Sequence, residues 1–218
     1  MRHLLSLIFL FCSPLSAKEA RSITIRTLCL EHVDGLKTLY FKSSEKTGEV
    51  IAIPIWERGL SDDIRLNVSG DELLFYAPVQ EGDGKKEDPV ARGKASSEAR
   101  QLLFFVPEKR SGLSYRVISY NDDTRTFPMG STRLLNVSHS TAHFKLGEIE
   151  KAVEPGATTI APMPRMLNRF KDYNLMIELE SDKGRYLVRQ TRGKSSKRKR
   201  DMAVVYIDAD SKRARVKL

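Results

Sequence analysis

Beyond residue 17 the side chains best suited to hold a metal are His32, His139, His143, Cys29, Met163 and Met166. In a helix, His139 and His143 would share a face. The run His139-Ser140-Thr141-Ala142-His143 reads as extended chain, however, and there the two rings stand about 13 Å apart. Only a tight turn through Ser140 could bring them together, and no Cys-His-Met cluster of the kind copper prefers is present. A copper-handling role through His139, His143 and Met163 is therefore the third reading, and neither a metal nor a cofactor is expected. Cys29, between Leu28 and Leu30, reads as a small buried hydrophobe. Hydrolytic chemistry fares no better, because the chain holds no Gly-x-Ser-x-Gly elbow and no His-Glu-x-x-His. The neighbouring carboxylates Asp62-Asp63 and Asp122-Asp123 would face opposite ways in a strand, which suits turns better than a general acid and base. A non-enzymatic protein is expected.

Charge is the more informative chemistry. The chain has a net charge of +9, and residues 183–218 hold thirteen Lys and Arg against Asp201, Asp208 and Asp210, so the excess is regional. Lys197, Arg198, Lys199 and Arg200 form a run between two expected strands. In the last strand Arg213, Arg215 and Lys217 alternate with Ala214, Val216 and Leu218, so period-two geometry sends the apolar set to the core and the cations to one exposed face. Arg185 and Arg189, one hairpin earlier, extend that face. It would suit an anionic envelope polymer or an acidic protein partner, drawn by long-range attraction that salt weakens. Specific nucleic-acid recognition lacks its stacking aromatics, since Tyr186 and Tyr206 fall at strand-core positions. A structural envelope component is the alternative, in which the cations only guard strand edges.

These residues need elements to carry them. Short apolar or alternating runs bounded by Gly, Asp, Asn, Ser and Pro recur through the chain, which predicts an all-β fold. Strands are expected at 22–31, 38–42, 50–56, 64–68, 73–77, 90–94, 101–106 and 115–120. A second series follows at 131–137, 142–146, 157–162, 175–180, 185–191, 203–207 and 214–218. Ser69-Gly70-Asp71, Ser181-Asp182-Lys183-Gly184 and Asp208-Ala209-Asp210-Ser211 read as hairpin turns. The polar stretch 80–99 reads as a long hairpin loop, and 164–172 as at most a short helix. The pattern breaks at 121–126, which predicts two tandem antiparallel, immunoglobulin-like β-sandwiches over 18–123 and 124–218, the second carrying the basic face.

An internal match fits that division. Arg26, Leu28, His32, Thr38, Phe41 and Lys42 lie over Arg133, Leu135, His139, Thr141, Phe144 and Lys145 with one four-residue gap, as two opening hairpins of one design would. The segment Phe127-Pro128-Met129-Gly130-Ser131-Thr132-Arg133-Leu134-Leu135-Asn136, followed by Pro155-Gly156, resembles a class of uncharacterised exported bacterial β-sandwich proteins. It is more distantly similar to the periplasmic adaptor of alginate acetylation. The resemblance implies a β-sandwich and an exported setting, with no activity attached.

The N-terminus agrees on the compartment. Arg2 and His3, the apolar run Leu4–Phe11 and the small residues up to Ala17 read as a cleaved signal peptide over residues 1–17. The run is shorter than the roughly 20 residues a membrane helix needs. Phe11 is too bulky to precede a lipidated Cys12. A periplasmic or extracellular protein is expected, and its lone remaining Cys29 leaves no intramolecular disulfide to form.

Overall fold

The computed structural model describes residues 20–43, 48–78, 88–108, 112–208 and 211–218. The signal-peptide reading and the first part, residues 80–87, of the loop expected at 80–99 lie outside these residues. Sixteen strands and no helix are found among the described residues. They are β1 Ala20–Cys29, β2 Thr38–Lys42, β3 Val50–Pro54, β4 Ile64–Ser69, β5 Glu72–Tyr76, β6 Ala91–Lys94, β7 Arg100–Pro107 and β8 Tyr115–Asn121, then β9 Thr132–Asn136, β10 Ala142–Leu146, β11 Ile149–Val153, β12 Thr158–Ala161, β13 Asp172–Ser181, β14 Gly184–Lys194, β15 Asp201–Ile207 and β16 Ala214–Lys217. The protein is all-β.

Fifteen of these strands coincide with expected ones. The exception is β11, which follows β10 across the two-residue turn Gly147-Glu148 with Leu146 facing Ile149. Gly147 takes φ +58°, the left-handed conformation that such a turn needs. The segment 164–172 forms a loop and not a helix.

The first eight strands build one sheet in the order β3-β2-β5-β6-β8-β7-β1-β4. The last eight build two, β11-β10-β13-β14 and β12-β9-β15-β16. Laid strand for strand, the two halves have the same order, since β11-β10-β13-β14 followed by β16-β15-β9-β12 reproduces β3-β2-β5-β6-β8-β7-β1-β4. The internal match between β1–β2 and β9–β10 therefore falls on equivalent strands. They are not hairpins, however, because β1 pairs with β4 and β7 while β2 pairs with β3 and β5. A second echo lies deeper in the chain. Arg92-Gly93-Lys94 of β6 and Arg192-Gly193-Lys194 of β14 sit in one register, Gly93 opposite Leu73 and Gly193 opposite Tyr173.

Pairing departs from the antiparallel expectation at β1–β7, β6–β8 and β9–β15, which run parallel. Each pair is separated by enough chain for the crossover that parallel neighbours require. Ser69-Gly70-Asp71 is likewise no hairpin, because β4 pairs with β1 and β5 with β2 and β6, so the turn carries the chain between non-neighbouring strands. Where the first half is closed by the β6–β8 ladder, β14 and β16 are not hydrogen-bonded to each other, and the second half stays two sheets.

All eight strands of the first half feed one core, in which Phe41, Phe75, Phe105 and Tyr115 form a chain of rings with centroids 5.2 to 6.0 Å apart. Such tilted and edge-on pairs suit the ring quadrupoles. Cys29 is buried here, and burial pushes its thiol up to about 12, so it is no nucleophile at neutral pH. The second half has its own core around Phe144, Leu175, Ile177 and Val205. A third cluster joins the halves, with Leu28, Leu30, Leu102, Phe104 and Val106 packed with Leu135 and Val204. The two equivalent parallel pairs, β1–β7 and β9–β15, thus lie against each other. This explains why Leu102 to Val106 reads as an unbroken apolar run, since the strand is buried on both faces.

Candidate anion-binding site

The cations singled out in the sequence do not form one face. Lys197, Arg198 and Lys199 are exposed in the connection between β14 and β15. Arg200 is not with them, because its side chain, 9% exposed, turns into the junction between the halves. There its Nη1 stands 3.1 Å from Asp122 Oδ1 and donates to the Asp122 and Phe127 carbonyls, while the guanidinium lies 4.9 Å from the centre of the Phe127 ring. Lys217 is also withdrawn. Ala214 and Val216 do pack on the second core as alternation predicts. The opposite face of β16 does not meet water at Lys217, whose ammonium donates to the carbonyls of Cys29 at 2.9 Å and of Leu30. Burial lowers its pKa. Leu218, expected in the core, is exposed.

The remaining cations are scattered. Arg215 is paired with Asp208 at 2.9 Å. Arg185, Arg189 and Arg213 are exposed, and Arg185 borders a depression of about 220 Å³ that also presents Glu150 and Glu178. Tyr186 is exposed too, against the expectation of a core position, because the start of β14 runs out beyond the core. Of the candidate copper ligands, His139 is exposed in the turn before β10, and His143 Nε2 lies 2.7 Å from Glu180 Oε1 on the outer face. No group of three or more His, Cys, Asp or Glu able to hold a metal is found among the described residues.

What the fold does assemble is a groove of about 710 Å³ between the 162–171 loop and the end of β14. Lys171, Lys194, Lys197, Arg198 and Lys199 line it, over an apolar floor of Met163 and Leu167, and no carboxylate is among its lining residues. Lys199 is paired with Asp201 at 2.9 Å. Sequence reasoning missed Lys171 and Lys194. The repeated Arg-Gly-Lys was the sign that could have marked Lys194, and three cations in nine residues could have marked the loop.

Backbone bonds tie the walls together. Ser195 N donates to the Lys171 carbonyl at 2.9 Å and Gly130 N to that of Lys199 at 2.8 Å. Arg198 N donates to Ser196 Oγ at 3.2 Å. Gly130, at φ +85°, lies so close to the Lys197 backbone that a Cβ there would stand 3.6 Å from Lys197 Cα. The Ser195 hydroxyl, buried beside the groove, has no partner among the described residues. Five cationic residues lining one groove can hold an anion by charge and hydrogen bonds together.

The loop is itself clamped. The Glu148 carboxylate accepts the backbone N–H of Arg165 at 2.5 Å and of Met166 at 3.2 Å, and the first of these bonds does most to hold its pKa below the usual glutamate value. A carboxyl so depressed contributes stability above its unfolded pKa, about 4.3, and loses that contribution as pH falls through the lower folded value. Protection of the Arg165 and Met166 amides against hydrogen exchange is therefore expected at neutral pH and lost on acidification, with Glu148→Gln losing it already at neutral pH. Undiminished protection in that variant would show that other contacts hold the loop.

The segment that carried the family resemblance belongs to the same region. The guanidinium groups of Arg133 and Arg200 lie 4.7 and 4.9 Å from the Phe127 ring centre, Arg133 Nη2 donates to the Asn121 carbonyl at 2.6 Å, and buried Asn136 donates to the Ser140 and Val153 carbonyls. Its letters are accounted for by the junction and its turns. Neither a protein-family model nor a curated protein matches the sequence.

Proposed function

We propose that this protein is an exported, non-enzymatic envelope protein that binds an anionic partner through the groove of Lys171, Lys194, Lys197, Arg198 and Lys199. The observation that carries the reading is that these five cationic residues line one groove in which no carboxylate is among the lining residues. Exposed acid–base pairs elsewhere, such as Arg100 with Asp63 and Arg92 with Glu72, are balanced locally and leave no such excess.

The test is to replace Lys171, Lys197, Arg198 and Lys199 together by Gln and measure affinity for inorganic polyphosphate at physiological salt. Arg200 is left intact because it belongs to the junction. Stability should stay within about 0.5 kcal/mol per change. Affinity should fall roughly 10-fold or more, given about 0.2–1 kcal/mol for each exposed charge contact. A control lacking four other cations, Arg185, Arg189, Lys212 and Arg213, should lose far less. Equal losses in the two variants would mean generic surface charge and overturn the proposal.

A further inference from the structure

The segments that build the cationic groove also hold large apolar side chains out into solvent. Met166 is 72% exposed, Phe170 59% and Met129 54%. None of the three is among the groove's lining residues, and Met166 borders a neighbouring depression with Glu148 and Asp172, but each sits next in sequence to a residue that lines or touches the groove. Met166 and Phe170 flank Leu167 and Lys171 in the 162–171 loop. Met129 precedes Gly130, whose N–H is bonded to the Lys199 carbonyl and whose α-carbon faces Lys197 and Met163.

Their exposure is built in. Glu148 pins the backbone at Arg165 and Met166. Asn168 Oδ1 accepts from Phe170 N at 2.9 Å and Asp172 N at 3.0 Å, and the Asn168 carbonyl accepts from Lys171 N at 2.9 Å. An Asx-turn of this kind fixes the loop's direction. Arg165 and Arg169 are exposed on the same loop, the latter guanidinium 4.7 Å from the Phe170 ring centre.

Resting on the groove reading, we infer that its anionic partner is a lipid bilayer surface, with the cations on the headgroup phosphates and Met129, Met166 and Phe170 entering the headgroup layer. A soluble polyanion would use the cations and leave three apolar side chains in water, whereas a bilayer interface uses both. Cations gain from the negative surface potential, and apolar side chains gain by leaving water a few ångströms below the phosphates. Single-stranded nucleic acid would need a row of stacking rings, and Phe170 is the one aromatic ring among these exposed apolar residues.

The test measures co-sedimentation with vesicles of phosphatidylcholine alone and of phosphatidylcholine with phosphatidylglycerol, beside affinity for inorganic polyphosphate. The protein should bind only the vesicles that contain phosphatidylglycerol. Replacing Met129, Met166 and Phe170 by Asn should weaken vesicle binding about 10-fold or more, by removal of the buried apolar groups, and leave polyphosphate affinity unchanged. With Trp56→Phe as background, Phe170→Trp should shift its emission to the blue on the same vesicles. Vesicle binding that survives the Asn changes, or no vesicle binding alongside intact polyphosphate binding, would overturn the bilayer inference and leave the groove standing. Polyphosphate affinity unaffected by loss of the groove cations would overturn the groove reading and this inference with it.

Discussion

Replacing Asp122 by Ala is expected to cost about 3–5 kcal/mol, the range for removing one partner of a buried ion network. The Asp122 side chain is 1% exposed and lies where the two halves meet. It accepts from Arg26 Nε and Nη2, both at 2.7 Å, and stands 3.1 Å from Arg200 Nη1. Arg26 comes from β1 and Arg200 from the chain just before β15, so one carboxylate ties the first half to the second. Arg133 lies close by, its guanidinium 4.7 Å from the Phe127 ring centre and 5.3 Å from that of Tyr120. Three guanidinium groups thus gather around one acid, and without it they repel one another with little water to screen them. Asp122→Asn keeps the shape but cannot serve two guanidinium groups as a charged acceptor, so a loss only slightly smaller is expected. Urea denaturation is the measurement. A double change of Asp122→Ala with Arg200→Met should recover part of the loss, because it also removes a stranded charge. A loss below about 1 kcal/mol would mean that the apolar cluster around Leu28, Leu102, Phe104 and Val204 holds the halves without the ion network.

The strands were legible because most carry alternation or apolar runs bounded by turn residues. β11 was not, since Glu150, Lys151 and Ala152 are exposed and only Ile149 and Val153 mark its ends. The repeat was visible in Arg26 and Arg133, which prove to be the junction arginines of the two halves, on equivalent strands. What the pattern could not show was which strands are neighbours, because pairings such as β1 with β7 arise from chain far apart in sequence. The candidate site suffered from the same limit. Alternation along β16 correctly told apart the two faces, yet it could not say that Lys217 would face the carbonyls of Cys29 and Leu30 in place of solvent. In the run Lys197 to Arg200 the sequence has four equivalent cations. The fold makes three of them groove residues and the fourth a buried brace, a distinction set by Asp122 and Phe127 more than 70 residues earlier.

The difference between the halves leads to the second large effect, at Gly93. The place of a Cβ there is taken by Val117, whose Cβ and carbonyl oxygen would both be 2.7 Å away. Neither atom can swing aside, since one is backbone and the other begins a buried β-branched side chain packed near Phe105 and Tyr115. Gly93→Ala must therefore push β6 from β8 and open the ladder of Ala91, Arg92 and Gly93 with Tyr115, Arg116 and Val117. A loss toward the upper end of about 1–3 kcal/mol is expected, as for overpacking in a well-filled core. At the equivalent Gly193 the obstruction is the far end of the Tyr173 ring, a side-chain tip with no backbone atom among the nearest contacts. Gly193→Ala should accordingly cost less, about 1 kcal/mol. Hydrogen exchange should show the amides of β6 and β8 losing protection in Gly93→Ala, so that the first half comes to resemble the second, with two sheets and an unpaired seam. If Gly193→Ala proved the more damaging of the two, the close approach of β6 to β8 could not be what closes the eight-stranded sheet.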